Sequence, residues 1–409
     1  MGKEAIFVYV VCGDDKYIQT LNTSLKYLKK FTEKRIFVIT DLSRNKSEIN
    51  HHDIIDVKTD DAFSDHQAAI YLKTSIHRYL DLKNKLYCYL DSDVLTISSA
   101  ADTIFNQAFE IVGFCPDNIT FDYFSPYAVN CECIDQCIHN KTILLKAIDE
   151  YSELYKRWKE DCNNSSGIDL QSKLDKIKRN KIGNIIPVIN HTLQKVLPFV
   201  KQIHLLGYKK DKKTKEWFDK NGSRILYPIA DFEVFVNHKT GFGYNHKLKS
   251  WCLKNQSYDV TKPRCTHLHD EIKKDFNINI IPENWQHPNG GVFLFDEKST
   301  GFLERWHYLT LEIFQKNNWK TRDQGTLAIA FWEYGMCKKR LLPGEFNYII
   351  DYFCTPVEYN PNRGFTKDNF KTYSHPIFIH LFHHFGDQNW AVWKNIESIL
   401  LNTDEHTYR

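Results

Sequence analysis

The sequence predicts an α/β protein built on a mostly parallel sheet, and three observations carry that expectation. Continuous apolar, β-branched runs (AIFVYVVC at 5–12, RIFVIT at 35–40 and KLYCYL at 85–90) alternate with segments whose apolar residues recur at helical spacing, as βαβ units require. The runs show no polar alternation, the mark of strands covered on both faces. They end in Gly13-Asp14-Asp15, Asp41 and Asp91-Ser92-Asp93, and in open α/β sheets ligands gather beyond the carboxyl ends of the strands.

After the first run, Ile18, Leu21, Leu25 and Leu28 place one apolar stripe on a helix that exits through Lys29 and Lys30. A second helix carrying Ile70, Ile76, Tyr79 and Leu80 leads into the third run. Residues 116–280 differ in texture, with Lys-rich helical stretches and few clean strand runs. Between 171 and 220, thirteen Lys or Arg stand against four Asp or Glu, a local basic patch read as a solvated helical face or a surface for an acidic acceptor. Strands and helices resume with GVFLF at 291–295, a helix with Phe302, Leu303, Trp306 and Leu309, TLAIAFWEYG, and the His-rich FIHLFHHFGDQNW at 378–390. The expected organisation is therefore 1–115, an insertion at 116–280 that is largely helical, and 281–409.

Composition bounds the function. At 409 residues, 42% apolar and 26% charged, the chain is long and apolar enough for a substantial core. Fifty-four Lys and Arg against 51 Asp and Glu leave +3, too balanced for a dedicated nucleic-acid binder. The apolar run at 5–12 falls far short of the roughly 20 residues of a membrane span and lacks the layout of a signal peptide. Eleven scattered cysteines, an odd number, do not form a disulfide framework and point to a reducing, cytoplasmic compartment. Cys131, Cys133, Cys137 and His139 cluster in CECIDQCIH, but this spacing matches no common zinc pattern, and ordinary thiols are the expectation.

Asp91 and Asp93, directly after an apolar strand, put two carboxylates on one face of an extended turn, about 6–7 Å apart. That separation suits a shared Mg2+ or Mn2+ with positions open for substrate phosphates. A phosphatase of the haloacid-dehalogenase type, with Asp91 as nucleophile, uses a related tripeptide, although Val94-Leu95 stand where such enzymes carry a small Gly-Thr pair.

In order along the chain, CGDDKY (12–17), Tyr71-Leu72-Lys73, YLDSDVL (89–95), PNGGVFLF (288–295), RDQGTL (322–327), LPGEFNYI (342–349) and HHFGDQNW (383–390) together resemble the retaining nucleotide-sugar glycosyltransferases of the galactosyltransferase and glycogenin type, carbohydrate family eight. The resemblance covers about 1–115 and 285–392. It implies a GT-A fold, a nucleotide diphosphate sugar donor (a UDP-sugar in the first place), Mn2+ or Mg2+, a glycan or other acceptor, and retention of configuration. It makes 1–115 the nucleotide-sugar-binding half, 116–280 an acceptor-related insertion, and 281–409 the second half with the metal and diphosphate motif.

Carried over by motif, Asp14 reads the uracil edge and Tyr17 stacks on the base, and Asp14 could equally cap the helix that follows. Lys73 stands where the family has Arg, losing its two-pronged hydrogen bonding. Ser92, Asn289, Gly290 and Gly386 complete the nucleotide-sugar set. Asp91, Asp93 and His383 are the implied metal ligands, with His380 and His384 as neighbouring alternatives. Asn389 replaces a Lys that should face the leaving diphosphate, so His384 or Lys394 would have to compensate. Asp323 either contacts donor-sugar hydroxyls or caps its helix. Gln324 faces the anomeric carbon, and Asp323 and Glu345 are the carboxylates left for a double displacement. The change at 389 also fits an inactive binding protein of the same fold.

Overall fold

The computed structural model describes residues 2–161, 169–170, 172–176, 185–213, 216–225, 232–253, 256–281, 285–320, 322–350, 357–367 and 372–405. The chain divides into two compact units, one of residues 1–131 with 264–409 and a second of 132–263.

The first unit is the expected α/β layer structure. Strands β1 (Glu4–Val10), β2 (Arg35–Thr40), β3 (Ile54–Asp56), β4 (Lys85–Leu90), β6 (Gly113–Thr120) and β7 (Gln286–Phe295) form one six-stranded sheet in the order β3-β2-β1-β4-β7-β6. The first four are parallel, and β7 runs antiparallel to both neighbours. Period-two alternation sorts the side chains. Ile6, Val8, Tyr87, Tyr89, Phe293 and Phe295 join the core on one face; Phe7, Tyr9, Cys88, Leu90, Val292 and Leu294 join that on the other. Cross-strand partners Tyr89 and Phe293 stack with centroids 4.7 Å apart, and Tyr87 and Phe295 at 5.3 Å, each worth about 0.5–1.5 kcal/mol beyond burial.

Helix α1 (Asp15–Phe31) buries the stripe of Ile18, Leu21, Leu25 and Leu28. Helix α2 (Asp65–Thr74) starts from a capping box between Ser64 and Gln67. It ends earlier than the sequence suggests, because the Ser75 hydroxyl donates back to the Tyr71 carbonyl at 2.6 Å and Ile76–Arg78 tighten into a 3-10 turn. The face opposite α1 is covered by α2 together with α3 (Phe121–Ala128), α4 (His267–Phe276), α5 (Thr300–Ile313) and α6 (Asp323–Glu333). A smaller sheet orders β8 (Tyr348–Ile350), β9 (Phe378–Leu381) and β5 (Val94–Thr96), backed by Trp393 and Ile396 of α7 (Ala391–Glu405). Because β5 leaves the acidic turn directly and pairs with β9, residues nearly 290 positions apart meet there: His380 lies opposite Val94.

The second unit is narrower than 116–280. Residues 116–131 stay with the first unit through β6 and α3, and 264–280 through α4, whose Leu268 and Ile272 join the same core as Phe121 and Phe124. Its regular structure is largely helical, as expected, with short strands added. Beside helices Cys133–Asp161, Ile185–Val196 and Phe232–Thr240, it holds an antiparallel sheet from Gln202 to Ile225 and a hairpin of Phe242–Asn245 with Ser250–Leu253. Part of the Lys-rich stretch folds as short strands with Lys209 and Lys210 on them, where the density of charge reads as a solvated helix.

Candidate functional site

The acidic turn closes off β4 at the carboxyl end of the sheet. Its backbone is pinned on three sides. Asp91 N–H donates to the Gly291 carbonyl at 2.8 Å, the Ser24 hydroxyl of α1 donates to the Ser92 carbonyl at 2.5 Å, and Leu381 N–H donates to the Asp93 carbonyl at 3.1 Å. The carboxylates of Asp91 and Asp93 and the His380 imidazole offer ligand atoms that all lie within 4.8 Å of one another. His380 Nε2 is 3.2 Å from Asp93 Oδ1. His383, expected as the third ligand, is not in this set. It lies past the end of β9, whereas His380 is held in the strand that pairs with β5.

The tautomer of His380 follows from its surroundings. Its Nδ1 lies 3.0 Å from Asn347 Oδ1; Asn347 Nδ2 donates to Asn289 Oδ1 at 2.9 Å, and Asn289 Nδ2 donates to Asp117 Oδ2 at 2.9 Å. Asn289 Oδ1 also accepts from Gly291 N–H at 2.8 Å. With its amide nitrogen spent on Asn289, Asn347 presents oxygen to the ring, so Nδ1 carries the hydrogen and Nε2 faces the carboxylates. This is the outer support that a metal-binding imidazole requires. Asn289, expected to reach a sugar hydroxyl, is fully buried and its amide serves this chain. The roles of Asn347 and Asp117 were not legible in the sequence, though Asn347 lies in the segment LPGEFNYI.

Opposite the turn, Lys73 reaches in from the last turn of α2. Its Nζ sits 3.1 Å from Asp91 Oδ1 and 2.9 Å from Asp323 Oδ2, and 5.2 Å from the Tyr89 ring centroid. The Tyr89 hydroxyl donates to Asp91. Burial opposes the charge on Lys73, but the carboxylates of Asp323 and Asp91 outweigh it and raise its pKa. Burial also raises the pKa of Asp91, against the pull of Lys73. For Asp93, burial is overcome by His380 and the pKa falls, while that of His380 rises for the reciprocal reason.

Asp323 opens α6, yet its side chain makes the ion pair with Lys73, and its carbonyl accepts from Trp306 Nε1 and Thr326 Oγ1, both at 2.9 Å. A Cβ added to Gly290 would meet Asp323 Oδ2 at 3.5 Å, Gln324 Nε2 at 3.6 Å and Lys73 Nζ at 3.6 Å. These groups therefore ring the bare backbone of Gly290. Gln324 Oε1 is buried without a hydrogen-bond partner among the described residues.

The remaining expected residues lie further out. Asp14 and Tyr17 are exposed at the start of α1, just beyond the carboxyl end of β1, which pairs with β4. Asp14 stands at the N-cap position without a side-chain cap bond, so its carboxylate is not consumed by the helix. Gly386, exposed with φ +77°, and Asn389 lie in the turn after β9. His384 bonds Asp387 at 3.2 Å, Lys394 is exposed on α7, and Glu345 is exposed on a 3-10 turn.

No protein-family model and no curated protein matches the chain. Among solved structures, it is similar to galactosyltransferase LgtC in complex with donor and acceptor sugar analogs, at 10% identity over 97% of this chain and 95% of that one, with a TM-score of 0.37. It is also similar to the bifunctional glycosyltransferase WbbM, at 11% identity over 97% of this chain and 52% of that one, TM-score 0.37. A third is mouse xyloside xylosyltransferase 1, at 8% identity over 93% and 99% of the two chains, TM-score 0.35.

Proposed function

We propose that this protein is a metal-dependent glycosyltransferase of GT-A type that moves a sugar from a nucleotide diphosphate sugar, a UDP-sugar in the first place, to a glycan, lipid or protein acceptor with retention of configuration. The observation that carries the reading is the convergence of Asp91, Asp93 and His380 at the carboxyl end of an α/β sheet. Two carboxylates and one oriented imidazole fit Mn2+ or Mg2+ with positions left for phosphate oxygens. Such a cation, when bound, supplies charge neutralisation on the departing diphosphate.

The chain's own groups divide the remaining work. Lys73 bridges Asp91 and Asp323, offsetting one of their two negative charges, and places a cation beside the donor phosphates. Asp323 faces a sugar hydroxyl, and the unpartnered Gln324 oxygen accepts from a donor or acceptor hydroxyl and favours positive charge developing at the anomeric carbon. Gly290 leaves room for the sugar ring against the backbone. Asp14 and Tyr17 take the base, by its ring N–H and its face respectively.

A thermal-shift panel of UDP-, GDP- and CMP-sugars, with and without Mn2+, tests this. A matching donor at about 100 times its Kd stabilises the fold by about 2.7 kcal/mol, and the shift should need the metal. No shift with any donor contradicts the reading. A covalent aspartyl-phosphate lost in Asp91→Asn would establish phosphatase chemistry in its place.

A further inference from the structure

Away from the acidic site, the first unit brings together three soft ligands. Cys131, Cys265 and His267 offer donor atoms within 4.8 Å of one another. The Sγ atoms of Cys131 and Cys265 are 3.9 Å apart, far beyond a disulfide bond of about 2.0 Å. They are close to the edge of about 3.8 Å that a tetrahedron with Zn–S bonds near 2.3 Å would have. In sequence these residues form two short pairs, Cys131-Glu132-Cys133 and Cys265-Thr266-His267. The cysteine-rich stretch CECIDQCIH thus finds its complement not in Cys137 and His139 but in a pair 134 residues further along.

Polar groups border Cys265. The Ser125 hydroxyl of α3 accepts from Leu268 N–H at 3.0 Å and lies 3.1 Å from Cys265 Sγ, within reach to donate to a thiolate there. Cys265 N–H donates to the Asp122 carbonyl at 3.2 Å, and Arg264 forms an ion pair with the Asp122 carboxylate at 2.6 Å. Cys265 lies two residues before α4, near the positive end of its dipole.

We propose that Cys131, Cys265 and His267, all in the first unit, hold a structural zinc ion. The ion would clip together the two points at which the chain leaves the first unit and re-enters it. Binding requires deprotonated thiols, so the thiol protons are released to solvent as the Zn–S bonds form.

The full chain, purified under reducing conditions without chelator, is assayed for bound zinc by elemental analysis, then exchanged with Co2+ and read by absorption. The expected result is one tightly held zinc per chain and a Co2+ form with a sulfur-to-cobalt charge-transfer band and tetrahedral ligand-field bands. The band should survive in Asp91→Asn, because the acidic site has no sulfur, and in Cys137→Ser. It should be lost in Cys265→Ser and weakened at least tenfold in affinity in His267→Gln. Absence of the charge-transfer band in the unmutated protein, its persistence in Cys265→Ser, or recovery of Cys131 and Cys265 as a disulfide from the native protein would each overturn the proposal. Failure of the band with a normal donor-dependent thermal shift would leave the glycosyltransferase reading standing.

Discussion

A Cβ on Gly291 would lie 2.2 Å from Cε1 and 2.6 Å from Nδ1 of His380; the imidazole occupies the space that any other residue's side chain would need. Gly291 therefore admits the ring to the acidic turn while its carbonyl accepts from Asp91 N–H. Gly291→Ala should displace His380 without removing any metal-binding atom. Calorimetric titration with Mn2+ should show at least a tenfold loss of affinity, whereas Gly290→Ala, with 3.5 Å or more to its neighbours, should leave the metal affinity in place and weaken the donor.

Lys73 is the only cation that ion-pairs with both Asp91 and Asp323 among the described residues. Lys73→Ala leaves two carboxylates facing each other without it, and removing one partner of a buried ion pair typically costs about 3–5 kcal/mol. Chemical denaturation should show a loss of that order. Lys73→Arg should retain part of the stability, and Lys73→Ala combined with Asp323→Asn should be more stable than Lys73→Ala alone.

Asn347 touches His380 and no carboxylate of the turn. Asn347→Ala removes the acceptor that fixes the ring's tautomer, and losses of such outer partners typically cost about 10–100-fold in metal affinity. The measurement is again Mn2+ titration, with Asn347→Asp expected to restore only part of the affinity, since a carboxylate still accepts from Nδ1 but sets an oxygen against Asn289 Oδ1.

How much of this was legible in the sequence depends on how local the cause is. β1, β2 and β4 were readable because a fully covered strand needs an unbroken apolar run, and AIFVYVVC has one. β3, with only Ile54, Ile55 and Asp56, gives no such signal and exists because β2 offers it a free edge. The acidic turn was readable for the same reason as its strand, and the pairing of Asp91 and Asp93 follows from two-residue spacing. Which of His380, His383 and His384 meets them was not, because it depends on the β5–β9 pairing, a contact between distant segments that no local pattern encodes. Alternation along FIHLF separates His380 from the residues beyond the strand only once that pairing is known. The Cys265 and His267 pair was hidden in the same way.

His287 is buried against Phe124, with ring centroids 3.9 Å apart, and burial pushes its pKa down to about 3. An imidazole whose folded pKa lies below its unfolded value of about 6.5 binds its proton more readily in the unfolded chain. Its contribution is complete above about pH 6.5 and is lost as pH falls toward 3, at up to about 1.4 kcal/mol per pH unit. His287→Phe should therefore flatten the pH dependence of unfolding free energy in that window, by about 2 kcal/mol at pH 5. His307, pushed down to about 4 by burial, keeps a residual slope in the variant. Equal slopes in the two proteins would show that His287 is protonated in the fold.

The central claim is that Asp91, Asp93 and His380 together hold the cation that grips a donor diphosphate. It is tested most directly by calorimetric titration of UDP into the intact protein, with and without Mn2+, for the unmutated chain, His380→Ala and His383→Ala. The account predicts UDP binding that depends on Mn2+, is lost in His380→Ala and is retained in His383→Ala. Binding that is indifferent to the metal, or that survives in His380→Ala and disappears in His383→Ala, would contradict it.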